Sequence, residues 1–198
     1  MKKSISRCTR SSPHGFTLIE LLVTLALAAV LAGLAAPSIR DFVVRSQMTN
    51  LGNEFTASVL KARNEAVNRN TCVTMCMSSS AGAANPTCST TGADWQVGWI
   101  AFLNPSCNSG LNAPSDSINM ILSRPSSGSD YFLQAQGSTK KITFNARGAP
   151  GLGDADQFNL IYREESNPLN EKYAFNICMD GLGRTRTLPS MKTCANYK

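Results

Sequence analysis

From Phe16 to Ala36 the chain runs for 21 residues with a single charged side chain, Glu20. As a helix this stretch would rise about 31 Å, which matches a hydrocarbon core of ~30 Å. An ionisable group inside lipid costs several kcal/mol unless it snorkels or finds a partner, so Glu20 reads as functional. Lys2, Lys3, Arg7 and Arg10 precede the run with no acid among them. By the positive-inside rule this end stays in the cytoplasm and the rest of the chain is exported. A secretory cleavage site would follow the apolar run behind small residues, but Ala35-Ala36-Pro37 would leave Pro37 after the cut. Cleavage after Gly15 instead keeps the span and makes Phe16 the first residue.

Gly15-Phe16-Thr17-Leu18-Ile19-Glu20-Leu21-Leu22-Val23, behind its short basic leader, resembles the prepilin signature of type IV pilins and type II secretion pseudopilins. The resemblance implies cleavage between Gly15 and Phe16 by a prepilin peptidase and N-methylation of the new Phe16 amine. It also implies pairing of Glu20 with the Phe16 amine of a neighbouring pilin during assembly. Bringing a carboxylate and an ammonium together in lipid relieves two desolvation penalties at once. The expected organisation is a leader over 1–15, a membrane and assembly helix over 16–36, an amphipathic continuation over 37–69, and a β-rich periplasmic or extracellular domain over 70–198. The expected location is the bacterial inner membrane, as a single-pass anchor, with later incorporation into a pilus.

Loss of the leader changes the charge balance. Four of the 19 basic residues lie in it and none of the 13 acids does, so the mature chain carries 15 minus 13, or +2. Overall basicity is therefore no argument for nucleic acid. The seven cysteines become six once Cys8 is removed: Cys72, Cys76, Cys88, Cys107, Cys178 and Cys194. An even count in an exported domain points to disulfides. Cys72 and Cys76 would stand ~13 Å apart on an extended strand, beyond disulfide reach. Each is expected to reach into the loops holding Cys88 and Cys107, which leaves Cys178 with Cys194. A four-cysteine zinc site is the rival, but paired C-x2-C knuckles are missing; no metal or other cofactor is expected.

Beyond Pro37 the helix is expected to continue with a kink or weakened turn. Leu51, Phe55, Val59, Ala62 and Ala66 recur at helical steps and form one apolar stripe that can dock against a sheet. After Asn68 to Thr71 the texture turns to short β-like runs: 72–77, 96–103, 118–122, 131–134, 142–145, 158–162 and 173–178. No βαβ rhythm appears, so the fold class is α+β, a long N-terminal helix packed on a mainly antiparallel sheet or sandwich with disulfides. Residues 78–93 and 104–117 read as long polar loops, and Gly148-Ala149-Pro150-Gly151-Leu152-Gly153 as a turn-rich loop.

Two motifs narrow the resemblance. Trp95-Gln96-Val97-Gly98-Trp99-Ile100-Ala101-Phe102 resembles the W-x-x-G-W-x-x-F strand of the GspH/FimT group. Its structural meaning is that Trp95 and Trp99 share one strand face and fill the core. Gly183-Arg184-Thr185-Arg186 resembles the G-R-x-R motif of FimT proteins, minor pilins that bind DNA for natural transformation. In extended chain Arg184 and Arg186 project from one face, and their guanidinium forks suit phosphate oxygens. After Asp180 come Arg184, Arg186, Lys192 and Lys198 with no acid. With Tyr197 the sole aromatic after Phe175, a stacking platform for base readout is lacking, so backbone binding with little sequence preference is expected. The alternative is a structural minor pilin or type II pseudopilin that primes assembly and uses this basic loop on another subunit. An enzyme is not expected, because the sole histidine, His14, leaves with the leader.

Overall fold

The structure, a computed structural model, describes residues 15–126, 128, 130–151, 157–162, 173–190 and 192–196. The chain divides into two units between Val43 and Val44. Helix α1, Leu18–Asn68, runs through the boundary and continues past Pro37. In the first unit Thr17 caps it: the Glu20 amide donates to Thr17 Oγ1 at 3.2 Å. Thr17-x-x-Glu20 is thus a capping-box sequence, with Glu20 in the first turn, where the helix dipole favours a carboxylate. The large apolar side chains from Phe16 to Leu34 are exposed in the monomer. Thr24 answers its own hydroxyl by donating to the Leu21 carbonyl. Among the described residues no straight helical segment is by itself long and apolar enough to cross a membrane, but the two parts of α1, Leu18–Leu34 and Ser38–Asn68, meet that test together by length and composition as a bent pair.

The second unit holds the rest of α1 and eight strands among the described residues: β1 (Val73–Met77), β2 (Gly98–Leu103), β3 (Met120–Pro125), β4 (Tyr131–Ala135), β5 (Lys141–Phe144), β6 (Gln157–Tyr162), β7 (Phe175–Met179) and β8 (Thr185–Pro189). They form two four-stranded sheets, ordered β3-β2-β1-β5 and β4-β6-β7-β8. Every pairing between these strands is antiparallel. The expected stripe of Leu51, Phe55, Val59, Ala62 and Ala66 is buried, extended upstream by Val44 and Met48, and it joins inward residues of both sheets in one core. Phe55 sits at the centre, edge-on to Trp95 and Trp99 at 5.5 Å each and tilted against Phe158 at 4.7 Å.

Both tryptophans are fully buried, as expected, but not on one strand face. Trp95 belongs to a 3-10 turn over Trp95–Val97, capped by the Asp94 carboxylate on the Gln96 amide. Gly98, at φ 123°, then starts β2, so the W-x-x-G-W spacing serves a turn followed by a strand. A side chain on Gly98 would strike the Ser78 and Arg124 carbonyls, at 2.7 and 2.8 Å. The run expected at 118–122 also begins late, because Asp116 caps a 3-10 turn over Ser117–Asn119. The strand β8 is absent from the expected runs, where extended chain is assigned only to Arg184 and Arg186; its backbone pairs with β7.

The first sheet is buried on both faces. Val73, Met75 and Met77 face the core, whereas Cys76, Ile100 and Phe102 pack with Ala81, Cys88, Leu111 and Met120 beneath the long loops. The disulfides Cys72–Cys107 and Cys76–Cys88 staple those loops down. Lys141 adds a polar pin, its ammonium donating to the Ser109 and Leu111 carbonyls and to Asn112 Oδ1 at 2.7–2.8 Å.

Candidate functional site

The motif Gly183-Arg184-Thr185-Arg186 forms the end of a hairpin between β7 and β8, and β8 is the outer strand of its sheet. Asp180 organises the turn. Its Oδ1 accepts the Leu182 and Arg184 amides at 2.9 and 2.8 Å, its Oδ2 accepts Arg184 Nε at 2.7 Å, and its own amide donates to the Arg184 carbonyl. Burial alone would raise the Asp180 carboxyl, but the hydrogen bonds from Arg184 and Leu182 and the Arg184 charge outweigh it and hold the group below its ordinary value. The Asp180 side chain is 7% exposed and that of Arg184 65%. The acid-free count that begins after Asp180 therefore overstates the local charge: a carboxylate already occupies one edge of the Arg184 fork.

Arg186 is exposed and lies opposite Cys178, which in turn lies opposite Gln157. Cross-strand partners share a sheet face. Because Ile177 and Met179 enter the core, Cys178 and Arg186 belong to the outer face. The expected Cys178–Cys194 disulfide lays the C-terminal segment across that same face. Asn176 Nδ2 donates to the Ser190 and Lys192 carbonyls, and the Cys194 amide donates to Gln157 Oε1. Lys192 is exposed, and its amide donates to the Pro189 carbonyl at the end of β8 away from the hairpin, so Arg184 and Arg186 belong to the hairpin end of the second sheet and Lys192 lies further along it. Lys198 lies outside the described residues, as do residues 1–14, expected as part of a leader.

Sequence reasoning missed what seats this hairpin. Arg63 of α1 donates from Nε to the Leu182 carbonyl at 2.8 Å, across 119 positions of chain. Gly183, at φ 73°, lies against the turn that follows β5: a Cβ there would sit 2.4 Å from the Gly148 carbonyl oxygen. Gly183 is thus required by both its backbone angle and its neighbour. Nor did spacing reveal Arg124 of β3, which binds Glu54 of α1 at 3.0 Å and Gln96 at 3.1 Å and lies 4.3 Å from the Trp99 ring centroid. That group ties the helix to the first sheet and lines, with Gln47, Asp130 and Tyr131, a cleft of about 310 Å³. Among the described residues no group of His, Cys, Asp and Glu is arranged to hold a metal, and the cysteines once weighed as zinc ligands are paired in disulfides.

A capped apolar helix whose second half carries two disulfide-stapled antiparallel sheets, behind a Gly-Phe-Thr-Leu-Ile-Glu head, defines a subunit of the minor pilin and pseudopilin class. Residues 10–36 match the prokaryotic N-terminal methylation motif. Residues 51–183 match the family described as type II transport protein GspH, and the chain belongs to that family. Among curated relatives, the type IV major alpha-pilin of Moraxella bovis is 42% identical over 47 residues, 24% of this chain and 30% of its own length. A probable minor fimbrial protein of Dichelobacter nodosus is 53% identical over 38 residues, 19% of this chain and 24% of its own. The chain thus spans less than a third of either relative. The type IV minor pilin FimU of Pseudomonas aeruginosa has the same fold, with a TM-score of 0.51 at 16% identity over 76% of this chain and 95% of that one.

Proposed function

We propose that this chain is a minor type IV pilin that binds DNA through the β7–β8 hairpin and so serves DNA uptake in natural transformation, as in the FimT proteins it resembles. The observation that carries the reading is the hairpin itself: a turn pre-ordered by Asp180 that carries exposed Arg184 and Arg186, with Lys192 tethered on the neighbouring surface by Cys178–Cys194. Pre-ordering lowers the entropy lost on binding. Guanidinium groups suit phosphate, and among the described residues none after Phe175 is aromatic, so contact is with the backbone and carries little sequence preference. The extent of Lys198's part belongs to the same proposal.

At the other end, a prepilin peptidase cuts between Gly15 and Phe16, the Phe16 amine is methylated, and the chain enters the inner membrane as a single-pass protein before joining major and minor pilins. Glu20 then neutralises the Phe16 amine of a neighbour. Mass spectrometry of the mature chain tests this end, and an intact Met1 terminus would refute it. The second reading, a pseudopilin or structural minor pilin without DNA binding, is favoured by the family's description as a type II transport protein. Binding to a labelled duplex across a salt series separates the two. Replacing Arg184 and Arg186 by Gln should weaken binding and flatten the slope of log K against log salt by up to about two; unchanged affinity and slope would leave the structural reading.

A further inference from the structure

The hairpin does not stand alone at its end of the domain. Beside it lies the turn Asn145–Ala149, closed by the Asn145 amide on the Ala149 carbonyl at 2.9 Å and the Gly148 amide on the Asn145 carbonyl at 2.8 Å. Asn145 Oδ1 accepts the Arg147 and Ala149 amides, at 2.9 and 3.2 Å. Each of the two turns is therefore organised from within by one side chain, Asn145 in the first and Asp180 in the second. They meet at Gly148 and Gly183, both at positive φ: a Cβ on Gly183 would sit 2.4 Å from the Gly148 carbonyl oxygen, and one on Gly148 would press on the Arg63 and Val67 side chains at 3.0 Å. Arg63 lies at the seam: it donates to the Leu182 carbonyl, and its Nε would stand 3.0 Å from a Cβ on Gly148.

Arg147 and Arg184 each follow or precede a seam glycine by one residue. Their Cα atoms are therefore within about 14 Å of each other, although 37 positions separate them in sequence. Arg147 is exposed. The chain from Lys140 to Gly151 has Lys140, Lys141 and Arg147 and no acid. On the hairpin, by contrast, Asp180 pairs with Arg184. Arg63 and Arg147 add two basic side chains beside it, and positive charge is what steers and holds a polyanion.

We infer that the Asn145–Ala149 turn is a second phosphate-contacting element, with Arg147 as its contact, so that the DNA surface is built from two turns joined at the Gly148–Gly183 seam. The inference rests on the DNA-binding reading above and extends it to a segment outside the G-R-x-R motif. Two contacts set on separate turns lengthen the stretch of strand backbone that the hairpin alone can hold, and neither turn has to order on binding.

The test uses the full chain in detergent micelles with a fluorescein-labelled duplex, by anisotropy between 50 and 200 mM KCl as an approximate working range for salt-slope measurements. Arg147→Gln should lower the salt slope by about 0.9, one phosphate contact, and Arg147→Gln with Arg186→Gln by about twice that. Lys61→Gln is the control for net charge, because Lys61 lies about 200° around the helix from Arg63; it should leave the slope as it is. Melting temperatures of all variants should stay at the unsubstituted value, since Arg147 is exposed. If Arg186→Gln lowers the slope and Arg147→Gln does not, the hairpin acts alone and the second element is refuted while the DNA reading stands. An equal fall in Lys61→Gln and Arg147→Gln would also refute it, as a response to charge alone. If the unsubstituted chain binds no duplex, the DNA reading fails and this inference with it.

Discussion

Replacing Asp180 by Asn isolates the group on which the basic hairpin is built. The amide is isosteric, and its oxygen can still accept the Leu182 and Arg184 amides that now lie at 2.9 and 2.8 Å from Oδ1. What is lost is charge assistance, worth about 1 kcal/mol for each of those bonds. The amide nitrogen then confronts Arg184 Nε, donor against donor, at the site of a 2.7 Å ion pair. Because the Arg184 side chain is 65% exposed, that pair contributes under about 1 kcal/mol once solvent screening is allowed for. The loss is about 2 kcal/mol in all, or roughly 6 °C in melting temperature for a domain of this size. The pH dependence gives a second check. The folded Asp180 pKa is depressed, so its contribution is fully present above the unfolded value of about 3.9 and is lost as pH falls through the folded value. The gap between the two proteins' thermal melts should therefore hold from neutral pH down to about pH 4 and close progressively below it. Hydrogen exchange should report the same change locally, with faster exchange at the Leu182 and Arg184 amides at neutral pH. Equal stability at neutral pH, or a gap that persists undiminished in acid, would refute the assignment of Asp180 as the organiser of the turn.

Three further outcomes are expected. Phe55→Ala should cost about 4 kcal/mol, since a fully buried ring in contact with Trp95, Trp99 and Phe158 is removed; chemical denaturation checks it, and Leu60→Ala on the exposed side of the same helix should cost under about 1. Gly183→Ala should destabilise by at least about 1 kcal/mol, because the new Cβ meets the Gly148 carbonyl at a positive φ; a melting temperature equal to that of the unsubstituted chain would contradict the seam. Replacing Cys178 and Cys194 together by Ser should cost about 3 kcal/mol in the chain-entropy estimate, and limited proteolysis should then cut the freed segment after Pro189.

The parts of the site that were read in the sequence were the Gly15 to Glu20 head and the Gly183 to Arg186 motif. The Thr17-x-x-Glu20 cap and the Asp180–Arg184 i, i+4 pair are local too but were not read there, and the second is an ion pair only because the chain turns between them. Trp95 and Trp99 were correctly assigned to the core and wrongly to one strand face. Spacing of four suits both a strand and a turn followed by a strand, and it was the Asp94 cap and the positive φ of Gly98 that chose between them. Arg63 and Arg147 carried no local signal at all, since their meaning arises from contacts between segments remote in sequence.

The sequence by itself determined the apolar run with its single Glu20 and the helical stripe from Leu51 to Ala66, and it pointed to the partnering of Cys178 with Cys194. Each of these follows from period, charge order or reach along one strand of chain. Only the tertiary structure decided that Cys72 joins Cys107 and Cys76 joins Cys88, that Arg124 bridges Glu54 and Gln96, and that two glycine turns meet beneath Arg63. The physical reason is that such contacts depend on how the sheets pack against the helix and on where each loop returns, and side-chain periodicity carries no record of either.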